Sequence, residues 1–157
     1  MRILLSILLT LFLTVSALAQ DVSALVNALG PGSFKDREAA VTALVASASD
    51  ASVPVLEALS AGNLHIRKSD QKVFITSAKG ELLTLTDPAG MAAAGDVPKT
   101  ELEKVKVNNA LRKTIQNALG GLTLFSADTE VRKKAAANIL KSGDPSALPA
   151  LEKAIAA

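Results

Sequence analysis

The side chains in this sequence that could act as a general acid, base or nucleophile do not stand in a recognisable catalytic pattern. His65 is the only histidine. General-base catalysis needs a partner that orients the imidazole, and no Ser, Cys or acidic residue stands at a motif spacing from His65. Because His65 alternates with Leu64 and Ile66, we place it on the polar face of a strand. The sequence therefore predicts no catalytic residue and a protein that is not an enzyme.

The sequence also lacks the residue patterns that metal, thiol or phosphate chemistry requires. The chain has no cysteine, so disulfides, thiolates and Cys-ligated zinc are excluded, and one histidine is too few for a typical transition-metal site. Glu101 and Glu103 are two residues apart and would not share a helix face. The glycines of 30–32 and 120–121 lack the strand and lysine of a phosphate loop, and we interpret them as helix stops. We expect no metal and no cofactor.

Two polar clusters have the composition of a protein-contact surface. The first is Arg67 and Lys68, at the tip of a predicted hairpin. The second is the run Lys104-Val105-Lys106-Val107-Asn108-Asn109, which leads into a predicted helix with Arg112. Its predicted contact residues are Asn108, Asn109 and Arg112. Surplus polar groups at a rigid junction suit hydrogen bonding to a partner, and Arg is favoured at interfaces. Solvated surface decoration is the alternative, because loop tips are usually polar.

The N-terminus has the features of a cleavable secretory signal. Met1-Arg2 precedes an apolar stretch over 3–15, and Ala17-Leu18-Ala19 ends it with the small-residue pattern of a cleavage site. The alternative, a membrane anchor, would need about 18 or more apolar residues without such an ending. We assign 1–19 to a signal peptide and 20–157 to the mature domain.

The charge balance argues against nucleic acid and lipid as partners. The chain carries 17 Lys and Arg residues against 15 Asp and Glu residues, and only Arg2 is lost with the signal. Binding to nucleic acid or anionic lipid requires clustered Lys and Arg. No segment after residue 19 is apolar over the length that crosses a bilayer. We expect no nucleic-acid binding, no direct lipid insertion after signal cleavage, and no transport pathway built by this chain alone.

Apolar residues at helical spacing fill both ends of the mature domain. The predicted helices cover about 22–29, 35–48 (burying Ala40, Leu44 and Ala43), 52–61, a segment from Asn108 or Asn109 to Gly120, and segments around 131–140 and 148–155. Polar residues stand where N-caps are needed. These are Ser33 with Asp36 three residues on, Asn108 or Asn109, and Ser126 or Asp128.

The middle of the domain changes to the alternation of strands. Residues 64–67, 73–76 and 83–86 alternate apolar and polar side chains, and hairpin turns are predicted at 69–71 and 78–80. We predict a three-stranded antiparallel meander from about Leu64 to Thr86. The small residues of 91–98 are typical of a surface loop.

Two pairs of helices repeat each other in sequence. Residues 36–40 with Leu44 correspond to 132–136 with Leu140, and 53–59 correspond to 148–154. In each pair, the first helix has a charged first turn followed by paired Ala, and the second helix has a proline near its start and a Leu two residues later. This pattern is similar to that of HEAT-like repeat hairpins. The predicted fold class is mainly α with a small antiparallel β insert, with HEAT-like helical hairpins flanking the meander.

Three runs occur in an order that resembles a known family. They are 64–73, 102–113, and 135–136 with 141–145 and 148–152. Together they are similar to the extracytoplasmic N-terminal region of the urea ABC transporter permease, a member of the branched-chain amino acid permease superfamily. The Val-x-Val-Asn-Asn run at 105–109 is the most specific part. The family continues into a bundle of membrane helices that this chain lacks, and Ala110 stands where the family pattern has a basic residue.

The resemblance implies an accessory domain at the periplasmic face of the inner membrane that acts by protein–protein contact. Its implied partners are the membrane subunits of a urea importer and, in second place, the solute-binding protein. The alternative is a stand-alone periplasmic scaffold or binding protein of HEAT-like form. A neighbouring reading frame that encodes the membrane bundle would favour the first of these two.

Cleavage of the precursor is expected between Ala19 and Gln20, where the small-residue pattern ends. The intact mass of exported protein should correspond to a chain that begins at Gln20. Recovery of Met1 in a membrane pellet would contradict this prediction.

Overall fold

The computed structural model describes residues 22–143 and 148–155. The signal peptide, its cleavage residues Ala17, Ala19 and Gln20, and Asp144-Pro145 of the second repeat lie outside the described residues. Within them, helices stand before and after a five-stranded antiparallel sheet. The predicted combination of helices with an antiparallel β region is therefore present, with a larger sheet than expected.

Helices occupy both ends of the described chain. Residues 22–27 form α1, and the others are α2 (Phe34–Ala46), α3 (Ser52–Ala61), α4 (Asn109–Thr123), α5 (Thr129–Ser142) and α6 (Leu148–Ile155). None of the helices in this part of the chain combines the length and hydropathy of a membrane span. The strands are β1 (Leu64–Arg67), β2 (Val73–Lys79), β3 (Leu82–Thr86), β4 (Ala93–Pro98) and β5 (Leu102–Lys104).

Capping explains where several helices begin. The Ser33 and Asp36 side chains accept each other's backbone N–H groups, at 2.7 Å for Ser33 N–H to Asp36 Oδ2. Asn108 caps α4 by accepting from Leu111 N–H at 2.8 Å, and Asp128 caps α5. The predicted capping box is therefore confirmed. Of the alternatives left open by the sequence, Asn108 and not Asn109 caps α4, and Asp128 and not Ser126 caps α5. Each cap is worth about 1 kcal/mol.

Two details of the helix prediction are wrong. Helix α4 continues through Gly120 and Gly121 to Thr123, because Gly120 is buried where α4 packs on Ile139 of α5. In α2, Val41 is buried and Ala43 is exposed. The buried stripe therefore runs through adjacent positions 40, 41 and 44, as usual for one face of a helix.

The sheet is larger than the predicted meander and has the order β4-β3-β2-β1-β5. The three predicted strands form its centre. The predicted surface loop over 91–98 is wrong, since Ala93–Pro98 pairs with β3, and Leu102–Lys104 adds a strand beside β1. The sequence of β4 shows little apolar alternation. Asp96 accepts from Lys79 and Thr84 at 2.6 Å each, and only Ala94 and Val97 pack against buried apolar side chains of the sheet.

Both faces of the sheet are covered. One face joins the helices in the main core through Leu64, Ile66 and Val73. The opposite face has a smaller cluster of Phe74, Leu85 and Leu102. These two clusters fix the register of β1 and β2, because a slip by one residue would move every side chain to the opposite face and disrupt both clusters. The sheet is thus a rigid platform for the residues at its edge.

Substitution of the two adjacent glycines of α4 should have opposite effects. A Cβ at Gly120 would lie 2.8 Å from Ile139 Cγ1, whereas a Cβ at Gly121 meets nothing within 4 Å. We expect Gly120→Ala to lower the free energy of unfolding by about 1–2 kcal/mol through overpacking. Gly121→Ala should raise it by up to about 1 kcal/mol, because Ala is the better helix former.

Chemical denaturation followed by far-ultraviolet circular dichroism measures both values. An equal effect of the two substitutions would contradict the close approach of α4 and α5 at Gly120.

Candidate partner-binding groove

A groove opens where α3 ends and where β5 leads into α4. Its volume is about 560 Å³. It is lined by 59–62 at the end of α3, by 103–107, and by Arg112 of α4. Three cations, Lys104, Lys106 and Arg112, face one carboxylate, Glu103, so the groove has a net positive charge. We call it the basic groove.

The end of α3 forms one wall of the basic groove. Gly62 adopts a left-handed conformation with φ 76° and ends the helix, and Asn63 N–H donates to Ala58 O at 2.7 Å. A Cβ at Gly62 would collide with the end of the Lys104 side chain. Glycine therefore meets two requirements here, the positive φ and the close approach of Lys104.

The other wall is held by the valines of the Lys-Val-Lys-Val run. Val105 is 1% exposed and belongs to the main core, and its N–H donates to Leu64 O at 3.0 Å. Val107 is half-buried and packs against the same core. Lys104, which precedes Val105, and Lys106, which lies between the two valines, are exposed. The alternation fixes the backbone and leaves the ammonium groups in solvent.

The second predicted cluster lies beside this wall. Asn108 is used as the cap of α4, Asn109 is exposed at the first turn, and Arg112 is exposed one turn later. Only Arg112 of these three lines the basic groove. Asn108 is therefore a structural cap, Asn109 is an exposed amide, and Arg112 is a residue of the groove.

The first predicted cluster lies elsewhere, and both of its residues form contacts within the domain. Arg67 makes two hydrogen bonds to Asp70, at 3.0 and 2.6 Å, and its guanidinium lies 4.5 Å from the centre of the Phe74 ring. The hydrogen bond from Arg67 lowers the pKa of the Asp70 carboxyl. Lys68 donates to Thr100 O at 2.7 Å.

The two clusters do not form one surface. Arg67 lies opposite Leu102 in the β1–β5 ladder, and His65 lies opposite Lys104. The hairpin tip and the basic groove are therefore at opposite ends of this ladder. Arg67 stabilises the hairpin turn, Lys68 links the turn to the segment before β5, and the groove residues remain the better contact candidates.

His65 lies on the sheet face that lines a second hollow. Its Nδ1 is 2.8 Å from Thr76 Oγ1, and that hydroxyl donates to Asn63 O at 3.0 Å. Asn63 O also accepts from Thr76 N–H at 2.8 Å, so the hydroxyl hydrogen can serve Asn63 O or His65 Nδ1, and the donor in the His65–Thr76 contact depends on the imidazole tautomer. Thr76 is only 4% exposed, so its hydroxyl is not placed to attack a substrate. The contact holds the imidazole in a fixed orientation beside an almost fully buried hydroxyl.

The hollow beside His65 has a volume of about 390 Å³ and shares Gly62 and Lys104 with the basic groove. Burial, and secondly the nearby charge of Lys104, lower the pKa of the His65 imidazole. Across 22–143 and 148–155, no group of three His, Asp or Glu side chains could hold a metal ion.

The sequence prediction placed Lys104 and Lys106 in the second cluster but did not name them among its contact residues. The signal that could have identified them is their alternation with Val105 and Val107, which places both lysines on the exposed side of a buried edge segment. The end of α3 could not be assigned to the site from its sequence, because its approach to Lys104 depends on the tertiary fold. Comparison with protein-family models, with curated proteins and with solved structures gives no match to this chain.

Replacement of Lys104 should change the titration of His65. Since the ordinary imidazole pKa is about 6.5 and the folded value is lower, the unfolded chain binds more protons between the two values. Stability is therefore greatest above about pH 6.5 and falls as the pH decreases through the folded pKa. We expect Lys104→Gln to raise the pKa of His65 and to weaken this pH dependence.

Nuclear magnetic resonance reports this pKa directly, because His65 gives the chain's one imidazole signal. Lys106→Gln is the matched control, since Lys106 is not a cause of the shift. Equal titration curves for the two variants would contradict the assigned role of Lys104.

Proposed function

We propose that this chain acts by protein–protein contact and not by catalysis, as the extracytoplasmic accessory domain of a urea ABC importer permease. The observation that carries the proposal is the basic groove. One of its walls is the Lys-Val-Lys-Val segment 104–107, which overlaps the run 105–109 that most resembles the permease family. A contact surface at this position would lie in and beside that run.

The charges of the groove support a contact role. Among the described residues, Lys104, Lys106 and Arg112 form no ion pair with a carboxylate, whereas Arg67, Lys79 and Lys133 each do. The folded domain does not use these three charges for its own stability. They are available to a partner, and paired charges across an interface favour correct orientation and fast association.

The arrangement of helices supports a HEAT-like interpretation, which we also propose. Helices α2 and α3 follow each other directly, and so do α5 and α6 with a short connection. Leu151 and Ala154 of α6 pack on a small cluster of Leu124, Ala135 and Ile139. Helix α4 contacts α2, α3 and α5 and supplies packing surface that a third repeat would otherwise provide.

In the proposed arrangement the exported domain lies at the periplasmic face of the inner membrane. Its partners are the membrane subunits of the importer, with the solute-binding protein as a second candidate. The rigid platform of the sheet holds the groove at a fixed orientation, so binding would order few additional residues. Preorganisation of this kind reduces the entropic cost of association.

Charge reversal in the groove should impair urea import. We expect Lys104→Glu with Lys106→Glu and Arg112→Glu, introduced at the native locus, to slow uptake of radiolabelled urea while the domain remains folded. Exposed charges contribute little to stability, so the thermal midpoint should change little.

The matched control reverses three exposed lysines outside the groove, Lys35, Lys72 and Lys134, and should leave uptake normal. Normal uptake in the groove variant, or after deletion of the whole chain, would contradict the importer role and would favour a stand-alone periplasmic scaffold.

A further inference from the structure

We propose that the hollow beside His65 binds a carboxylate group that is carried on a short apolar body. Its volume of about 390 Å³ is within the range of ligand sites in proteins, about 300–1,000 Å³. The site is separate from the contact proposed for the basic groove, although Lys104 lines both. It goes beyond the proposed importer role, and its test does not depend on that role.

Strand pairing shows on which face of the sheet the hollow lies. His65 stands directly opposite Phe74 of β2 and Lys104 of β5, and directly opposed residues point to the same face. Phe74 belongs to the smaller cluster, on the face opposite the main helical core. The hollow therefore opens on the side of the sheet that the main core does not occupy.

The charged side chains of the hollow are all basic. Lys104 and Lys99, which begins the 3₁₀ turn before β5, are exposed, and no Asp or Glu lines the hollow. Among the residues that the structure describes, neither lysine forms an ion pair with a carboxylate. The Lys104 ammonium lies close to Gly62 at the end of α3, where the carbonyl end of a helix favours a cation. An anion in the hollow would thus meet two cations and no competing carboxylate.

The imidazole supplies a third group that can bind an anion. Its Nδ1 lies 2.8 Å from Thr76 Oγ1, whereas its Nε2 has no hydrogen-bond partner within the described chain. In the protonated ring both nitrogens donate. Nδ1–H can then donate to Thr76, whose own hydroxyl hydrogen can serve Asn63 O at 3.0 Å. Nε2–H remains available to a ligand oxygen.

The rest of the lining gives the hollow an apolar floor. Leu102 is buried and Leu83 is half-buried in the same cluster, and Ala78 completes the floor. A short hydrocarbon body would cover these side chains while its carboxylate reaches the lysines. Removal of this surface from water adds affinity in proportion to its area. The ligand should therefore combine one charge with a short apolar part.

A phosphate or sulfate group fits the hollow less well than a carboxylate. Sites for these anions typically use arginine forks and the N–H groups at a helix N-terminus. No arginine lines this hollow, and the helix end beside it is the carbonyl end of α3 at Gly62. That end disfavours a doubly charged anion, so a singly charged carboxylate is the better match.

Protonation of His65 should be coupled to binding. The charged groups that line the hollow with it are Lys99 and Lys104, and burial and the charge of Lys104 keep its pKa low. A bound carboxylate would offset that charge and accept from Nε2–H, which raises the pKa of His65. By reciprocal linkage, the ligand should bind more strongly as the pH falls through this pKa.

The test uses the purified processed chain without a histidine tag and butyrate as the probe, followed by nuclear magnetic resonance. We expect saturable shifts of the Thr76, Leu102 and Lys104 amide signals with a Kd of about 1 mM, since a small ligand in an open hollow makes few contacts. Butyramide has the same shape without the charge, and formate has the charge without the apolar body. Each should bind about fivefold more weakly than butyrate.

Substitutions separate the hollow from the basic groove. Lys99→Gln with Lys104→Gln should weaken butyrate binding about tenfold, the effect of two exposed ion pairs of ordinary strength. Lys106→Gln is the matched control, because Lys106 lines the basic groove but not the hollow, and it should leave binding unchanged. Circular dichroism checks that each variant is folded.

The coupling to His65 is measured on the unsubstituted chain. Butyrate should raise the pKa of the imidazole, and its affinity should increase about threefold between about pH 7.5 and pH 5.5, the effect of one further charge pair. His65→Gln should retain binding at the higher pH and lose this increase.

A free acid and the C-terminus of a peptide share this chemistry, and a second probe distinguishes them. The probe is acetyl-Ala-Val with a free carboxylate, compared with its C-terminal amide, which should bind weakly. Tighter binding of the free-carboxylate peptide than of butyrate would identify a chain terminus as the source, and the reverse would identify a free acid. Both results support a carboxylate site.

Other results would overturn the proposal. They are no saturable shift with millimolar butyrate, equal binding of butyrate and formate, which would indicate an adventitious ion only, and undiminished binding after replacement of Lys99 and Lys104. An imidazole pKa that butyrate leaves unchanged would also contradict it. The assay contains no importer, so its failure would leave the role of the basic groove in urea uptake unaffected.

Discussion

The backbone hydrogen bond from Val105 to Leu64 is the constraint on which the rest of the structure depends. Leu64 follows the helices of the first half, and Val105 precedes those of the second half. Both side chains are fully buried in the same core. Their pairing closes the insert of strands into a sheet, brings α3 beside the segment that leads to α4, and thereby creates the basic groove.

The sequence was sufficient to predict the helices because their signals are local. The capping box at Ser33 and Asp36 requires only residues within one turn and was predicted correctly, and Asn108 was one of the two candidates for the cap of α4. The three central strands were likewise found, because their apolar alternation reflects burial on a face of the sheet. Helix α4 was cut short because its glycines were interpreted as a local stop, whereas tertiary packing on Ile139 decides their role.

The edge strands could not be predicted from local patterns. β4 is made of small and polar residues, and its place in the sheet depends on cross-strand contacts of Asp96 with Lys79 and Thr84. β5 has three residues, too few to show a periodicity. The candidate site was also predicted only in part. Arg112 was identified, whereas Arg67 and Lys68 form contacts within the domain itself. The approach of Gly62 to Lys104 is visible only in three dimensions.

The central claim is that the basic groove contacts another protein of the importer, and crosslinking in the native host tests it most directly. A photoreactive amino acid at Lys106, inside the groove, would be compared with one at the exposed hairpin residue Glu81, on another part of the sheet. The account predicts crosslinks from position 106 to a membrane subunit or the solute-binding protein, identified by mass spectrometry, and none to them from position 81. Equal crosslinking from both positions, or none to any importer protein from position 106, would contradict it.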